Sequence, residues 1–480
     1  MNFNFITYII GWVMSIESVT MLLPALVGLI YGENSGWYYL FFAILFLIPG
    51  IVIIKKKPEN QQLFAKEGFV VVGLCWIIIS IIGALPLCIS GEIPSFTDAL
   101  FEIVSGFTTT GASIVPNVEE LTHAALFWRS FSHWIGGMGV FVFLLIIMPM
   151  AGGNNIHLLR AESPGPSVGK LVPKLKDTSK ILYLIYFSLT VICFICLIIA
   201  DMPLFDSILT ALGTAGTGGF GIKCDSMGSY NDAIKWIVTV FMILFGVNFN
   251  FYFFLLGKNK KEAFKIEEIR VYFLTILISV IIIALNIRGM YASMYDCFRE
   301  SAFQVGSLIT STGFATTDFN LWPSLSKGIL ISIMFMGACA GSTGGGIKVS
   351  RFIIMFKAIS QEIYTYVHPK SVRNVSMDGK VIDKQMIKNV FMFMSTYFMI
   401  YLFSFLIICV DGFDLTTNFT SIVACMSNIG PGLEMVGPTG NFAAFSGISK
   451  YVLIFDMLAG RLELFPILIL FAPRLWFKKK

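Results

Sequence analysis

Four short clusters of glycine with threonine, serine or asparagine punctuate the 480-residue chain. They read TTTGAS (Thr108–Ser113), AGTGGFG (Ala215–Gly221), TSTGFATTDF (Thr310–Phe319) and SNIGPG (Ser427–Gly432). Their glycines Gly111, Gly219, Gly313 and Gly430 are 108, 94 and 117 residues apart, an internal repeat. The chemistry open to such clusters is cation dehydration. Glycine permits the dihedrals that turn successive carbonyls to one side, and those oxygens can replace the water around a monovalent ion. The narrow positions carry no carboxylate, and carboxylate rings suit divalent ions better. One such cluster is a turn; four at matching places argue for a shared axis.

The elements that must position them follow. Directly before each cluster lies a short apolar stretch: Phe96–Phe107, Leu204–Gly213, Tyr295–Thr310 and Asp414–Ser427. Each is too short to cross a bilayer, which takes about 20 apolar residues, and reads as re-entrant or buried. Non-helical backbone at membrane depth survives only when buried in protein or lining a water-filled path. A central pore satisfies all four loops together. Each short helix would aim its partly negative C-terminal end at that axis, which favours a cation.

Composition agrees. The chain is 56% hydrophobic and only 13% charged, with a mean hydropathy of +0.80, which indicates an integral membrane protein. The sequence predicts ten spanning segments: Phe5–Ile30, Trp37–Ile54, Phe69–Ile89, Ala124–Met150, Ile181–Ala200, Ala233–Leu256, Val271–Ile287, Leu325–Phe356, Val390–Val410 and Tyr451–Phe471. Basic loops alternate with loops poor in Lys and Arg. The basic ones hold Lys55–Lys57, Arg160 and Lys170, Lys258–Lys265, Lys370–Lys388 and Arg474–Lys480, which sets both termini in the cytoplasm. The net charge of +5 therefore reports topology, not nucleic-acid binding. The N-terminus lacks a basic leader and reads as a retained helix. Cys193 and Cys196 have CxxC spacing inside an apolar run and read as packing. GTGGFG at Gly216–Gly221 matches a dinucleotide fingerprint in letters only, since a strand should precede it. Gly341–Lys348 lacks the GK[ST] of a phosphate loop.

The four loops in their contexts resemble the filters of the Trk/Ktr/HKT superfamily of potassium transporters, and of its bacterial TrkH-type subunit in particular. The likeness runs the full length. It includes WRSFSHWIGGMG (Trp128–Gly139), ESPGPSVGKLVPKLKDTSK (Glu162–Lys180), GACAGSTGGGIKVSR (Gly337–Arg351) and GRLELFPILILF (Gly460–Phe471). The resemblance implies an all-α membrane protein of four pseudo-repeated M1–P–M2 units around a central pore, with two extra N-terminal helices. The units would be 1–66 for the addition, then 67–160, 161–265, 266–375 and 376–480. It implies potassium held by filter residues Thr109, Thr110 and Gly111; Thr217, Gly218 and Gly219; Ser311, Thr312 and Gly313; and Asn428, Ile429 and Gly430. The second and fourth loops depart from Thr-Thr-Gly, so uniform fourfold geometry is not expected. It also implies a gate at Gly341, Ser342, Thr343, Gly344, Gly345 and Gly346, where three consecutive glycines interrupt a long apolar segment. Arg461, in the last apolar segment, would face the pore near that loop, with pairing to Glu463 or Asp456 as the competing reading. Partners implied are a second copy of the chain and a cytosolic, nucleotide-binding TrkA-like subunit, in a bacterial inner membrane.

The nearest alternatives are a KtrB-like sodium-dependent potassium transporter and a secondary transporter of another substrate. The latter would show two inverted halves. An intramembrane enzyme would need paired Asp, a Ser–Lys dyad or HExxH, and none is evident.

Overall fold

The structure, a computed structural model, describes residues 1–60, 65–139, 175–257, 260–371 and 374–473. Segment 140–150 of the fourth predicted span, Arg160, Lys170, most of the Glu162–Lys180 motif, Lys258, Arg373 and Arg474–Lys480 lie outside the described residues.

The same order of elements recurs four times. A long lead helix comes first: Ala65–Ile89, Leu175–Ile199, Glu267–Asn286 and Lys384–Ile408. A short helix follows: Phe96–Phe107, Leu204–Gly216, Met294–Ile309 and Leu415–Met426. After each glycine cluster a return helix begins: His123–Gly137, Asp232–Phe245, Ser324–Met336 and Gly447–Arg461. Side chains cap most of these starts. Ser95, Ser293 and Asp414 accept backbone N–H bonds at short-helix N-termini, and Thr122, Asn231 and Ser446 do so at return helices.

Lead and return helices differ in continuity. Among the described residues six helices are long and apolar enough to cross a membrane, or seven if one bent pair counts as a single span. Those six are Phe3–Ile30, Ser35–Lys55 and the four lead helices. Among the described residues three return helices break. The span expected over Ala233–Leu256 bends by 91° between Phe245 and Phe249. The segment Leu325–Phe356 is interrupted between Met336 and Val349. The one expected over Tyr451–Phe471 ends at Arg461, and Glu463 and Leu464 then take left-handed φ of 58° and 66°. The glycines of Gly341–Gly346 predict the second of these breaks; hydropathy registers an apolar environment and is blind to a turn within it, so the sequence predicts the other two as uninterrupted spans.

The short helices form the centre of the molecule. Phe101, Phe107 and Phe303 are wholly buried, whereas lead helices present Phe187, Leu277 and Phe403 outward. At the N-terminus, helices Phe3–Thr20 and Leu22–Ile30 pack closely on Ser35–Lys55; a Cβ on Gly28 would lie 2.7 Å from the Gly36 Cα. Glu33 ties this hairpin to the first return helix, accepting the N–H groups of His123 at 2.9 Å and Ala124 at 3.2 Å. A two-stranded hairpin, Ser376–Met377 with Lys380–Val381, turns through Asp378-Gly379, the sequence suited to two left-handed residues.

Candidate functional site

All four short helices end in one way. The N–H groups of Thr110, Gly218, Thr312 and Ile429 donate five residues back, to the carbonyls of Ser105, Gly213, Ser307 and Ala424, at 2.9, 2.9, 2.8 and 2.9 Å. The N–H groups of Thr109, Thr217, Ser311 and Asn428 donate three residues back, to Gly106, Thr214, Leu308 and Cys425. This pair of bonds is the Schellman cap, which needs a left-handed residue. Here that residue is never glycine: Thr109, Thr217, Ser311 and Asn428 have φ of 57°, 53°, 58° and 53°. A left-handed L-residue costs about 1–2 kcal/mol. Such strain persists only where surrounding structure imposes it.

Two residues later come Gly111, Gly219, Gly313 and Gly430. Three of them have positive φ, 79°, 88° and 96°; Gly219 does not, so the second loop leaves its cap by a different path. The space beside each is filled by the next loop. A Cβ on Gly111 would lie 2.8 Å from the Gly219 nitrogen. One on Gly219 would strike the Thr312 oxygen and Gly313 carbon, and one on Gly313 the Ile429 oxygen. One on Gly430 would lie 2.8 Å from the Thr110 oxygen. The contacts run first to second to third to fourth and back to first. Four loops about a hundred residues apart in sequence thus close a ring of backbone. Any side chain at a ring glycine would have to displace peptide groups.

One face of the ring opens on a vestibule lined by Gly111, Gly219, Gly313 and Gly430 together with Pro431 and Asn441. In its wall sits a buried ion pair, of which Arg129 lines the vestibule. Arg129 donates to Glu102 at 2.7 Å, and the same carboxylate accepts the Ile114 N–H at 2.8 Å and the Ser113 hydroxyl at 3.0 Å. The guanidinium also lies 4.1 Å from the Phe220 ring centre. This pair links the first short helix to the segments leaving the first and second loops.

The other face of the ring meets the segment that interrupts the third return helix. The Gly345 N–H donates to the Ser311 hydroxyl at 2.6 Å. Cβ atoms on Gly344 and Gly345 would lie 2.9 Å from the Thr310 oxygen and 2.8 Å from Asn428 Oδ1. The segment is buried and held from several sides. Arg461 donates to the Thr343 carbonyl at 2.8 Å and the Gly137 carbonyl at 3.0 Å, and also to Gly136. Thr343 donates to the Phe245 carbonyl at 3.2 Å, at the bend of the second return helix. Lys348 folds its ammonium back onto the carbonyls of Gly344 and Gly345. Ser342 bonds within the segment, to the Cys339 carbonyl at 2.7 Å. Gly341 and Gly346 have φ of 69° and 67°.

Sequence reasoning missed several members of this arrangement. Glu268, in the first turn of a lead helix, accepts the N–H groups of Ala340 at 2.8 Å and Ser350 at 3.0 Å, both through Oε1. One carboxylate oxygen therefore staples both ends of the interrupting segment. Its signal is a second acidic residue at the edge of an apolar run, which resembles ordinary helix-dipole placement. Arg351, not Arg461, pairs with Glu463, and it also lies 3.8 Å from the Phe393 ring centre. Asp456 instead accepts the Ser404 hydroxyl at 2.8 Å.

Residues 38–478 match the TrkH family, described as a cation transport protein. The chain is 37% identical over 484 residues to the Trk system potassium uptake protein TrkH of Salmonella typhimurium, covering 99% of this chain and 100% of the relative. It is 35% identical to the Trk system potassium uptake protein TrkG of Escherichia coli K12, covering 98% of each. The crystal structure of the potassium transporter TrkH from Vibrio parahaemolyticus superposes with a TM-score of 0.89 at 33% identity, over 99% of this chain and 100% of that one. The chain is a multi-pass membrane transport protein rather than an enzyme, and it belongs to the TrkH family.

Proposed function

We propose that the chain takes potassium up across the bacterial inner membrane through a filter of backbone carbonyls at its centre. The filter residues in this reading are Thr109–Gly111, Thr217–Gly219, Ser311–Gly313 and Asn428–Gly430. The single observation that carries it is the closed ring in which each loop's glycine abuts the next loop. Four short helices end at that ring, and their carbonyl ends favour a cation there. Each repeat is an M1–P–M2 unit: 67–160, 161–265, 266–375 and 376–480, with 1–66 as an addition. The relatives described above, potassium uptake proteins and a potassium transporter, suggest the ion.

Potassium enters from the vestibule, loses water in the ring, and passes once the segment Gly341–Gly346 moves aside. With both termini in the cytoplasm, the inside-negative potential drives it, at about 2.3 kcal/mol per charge per 100 mV. Arg461 holds the closed segment. Two copies of the chain assemble, and a cytosolic TrkA-like subunit on the basic face controls the gate; nucleotide binds that subunit.

Cation flux into liposomes holding the purified chain tests the filter. Gly313→Ser demands a side chain at φ 88° and pushes on the Ile429 carbonyl. The potassium-to-sodium flux ratio is expected to fall in protein that remains monodisperse. An unaltered ratio rejects the filter assignment.

A further inference from the structure

The four loops are braced by unlike means. In the first, the Thr108 and Thr110 hydroxyls bond each other at 2.8 Å; in the third, Thr310 and Thr312 do so at 2.7 Å. In the fourth, the Asn428 amide donates to the Thr110 hydroxyl at 3.0 Å and to the Met457 carbonyl at 2.9 Å. The equivalent positions of the second loop are Gly216 and Gly218, which have no hydroxyl to offer.

Their place is taken by a side chain from the first return helix. A Cβ on Gly218 would clash with the imidazole of His133, lying 2.6 Å from its Cε1 and nearer still to Nδ1 and Cγ. The ring is wholly buried. Its Nδ1 lies 2.8 Å from the Gly106 carbonyl, the same oxygen that accepts the Thr109 N–H in the cap of the first loop. Its Nε2 accepts the Phe220 N–H at 3.4 Å, immediately after Gly219. The Nδ1–H tautomer satisfies both bonds. One face of the ring lies 4.3 Å from the Phe220 ring centre. His133 therefore joins the cap of the first loop to the exit of the second.

We infer that His133 is a positioning residue for the second filter loop, standing in for the threonine side chain found in the first and third, and so helps determine which monovalent cation passes. The inference rests on the filter reading above. The glycine at position 218 follows from it, because the imidazole occupies the volume a side chain would need. Backbone strain does not exclude a side chain there, since φ at Gly218 is not positive. The restriction is the neighbour.

The test is the liposome flux ratio of potassium to sodium for full-length protein, with four variants. His133→Ala removes both bonds and is expected to lower the ratio about tenfold, as loss of a buried hydrogen-bonded brace allows. His133→Ala/Gly218→Thr places a hydroxyl in the vacated space and is expected to recover most of the ratio. His133→Asn keeps a donor near the Gly106 carbonyl but cannot accept from Phe220; it is expected to lower the ratio, and it decides the matter if the alanine variant does not fold. A ratio unchanged in folded His133→Ala or His133→Asn, while Gly313→Ser alters it, overturns the role of His133 and leaves the filter standing. A double variant no more selective than His133→Ala overturns the stand-in for threonine. An unchanged ratio in Gly313→Ser removes the filter and this inference together.

Discussion

Removing the charge of Glu268 should loosen the gate by a calculable amount. Its Oε1 accepts from both Ala340 and Ser350, so Glu268→Gln preserves an acceptor at the same place and loses only the charge. Hydrogen bonds to charged groups contribute about 1.5–3 kcal/mol each and neutral ones about 0.5–1.5. For two bonds the difference is about 2–3 kcal/mol, or roughly 30- to 160-fold in the equilibrium between the held and the released segment. Glu268→Ala removes the acceptor as well and should go further. Potassium flux into liposomes, measured without any partner subunit, is therefore expected to rise in the order Glu, Gln, Ala. Proteolysis or hydrogen exchange of residues 340–350 should show exposure rising in the same order. A glutamine variant that folds, exchanges normally and conducts no faster than the parent would refute the staple. Faster exchange without faster flux would place the staple correctly but separate it from the gate.

Two other predictions concern the ring and its support. Arg129→Leu leaves the Glu102 carboxylate buried without its cation, and should destabilise the protein by about 3–5 kcal/mol. Adding Glu102→Gln should restore part of that loss while keeping an acceptor for the Ile114 N–H, as read by thermal unfolding in detergent; equal stability of Arg129→Leu and parent would contradict it. Thr109 holds φ at 57° with a hydroxyl that has no hydrogen-bond partner among the described residues. Thr109→Gly should raise the unfolding temperature, since about 1–2 kcal/mol of left-handed strain is relieved, and blunt potassium preference as the first loop loses rigidity. A fall in unfolding temperature would show that the strain is not where the dihedral places it.

Much of the scaffold is legible in the sequence. The short helices announce themselves because an apolar run of about a dozen residues followed by a glycine cluster is a local signature. The structure begins and ends them within three residues of the predicted bounds. The interruption after Met336 is legible for the same reason, since consecutive glycines cannot sustain a helix. Other features are faint or silent. The 91° bend at Gly246–Asn248 has only a faint local mark, a glycine and an asparagine whose side chain caps the next helix at the Asn250 N–H, set among apolar residues that hydropathy reads as one span. The staple by Glu268 and the imidazole against Gly218 join residues 72 and 85 positions apart, and spacing carries no record of such meetings. Hydropathy reports what surrounds a residue and says nothing of its direction. That is why Arg461 could be suspected of importance while its nearest rival partner, Glu463, belongs to Arg351.

The ring of glycines has a sense of rotation. Each missing methyl group leaves its gap facing the following repeat and never its own, so injury at one corner is suffered by the corner after it. Bulk at Gly430 disturbs the opening loop of the chain, and bulk at Gly111 disturbs the second. Four quarters of one chain, free to diverge in sequence, remain answerable to a neighbour in a single direction around the circle.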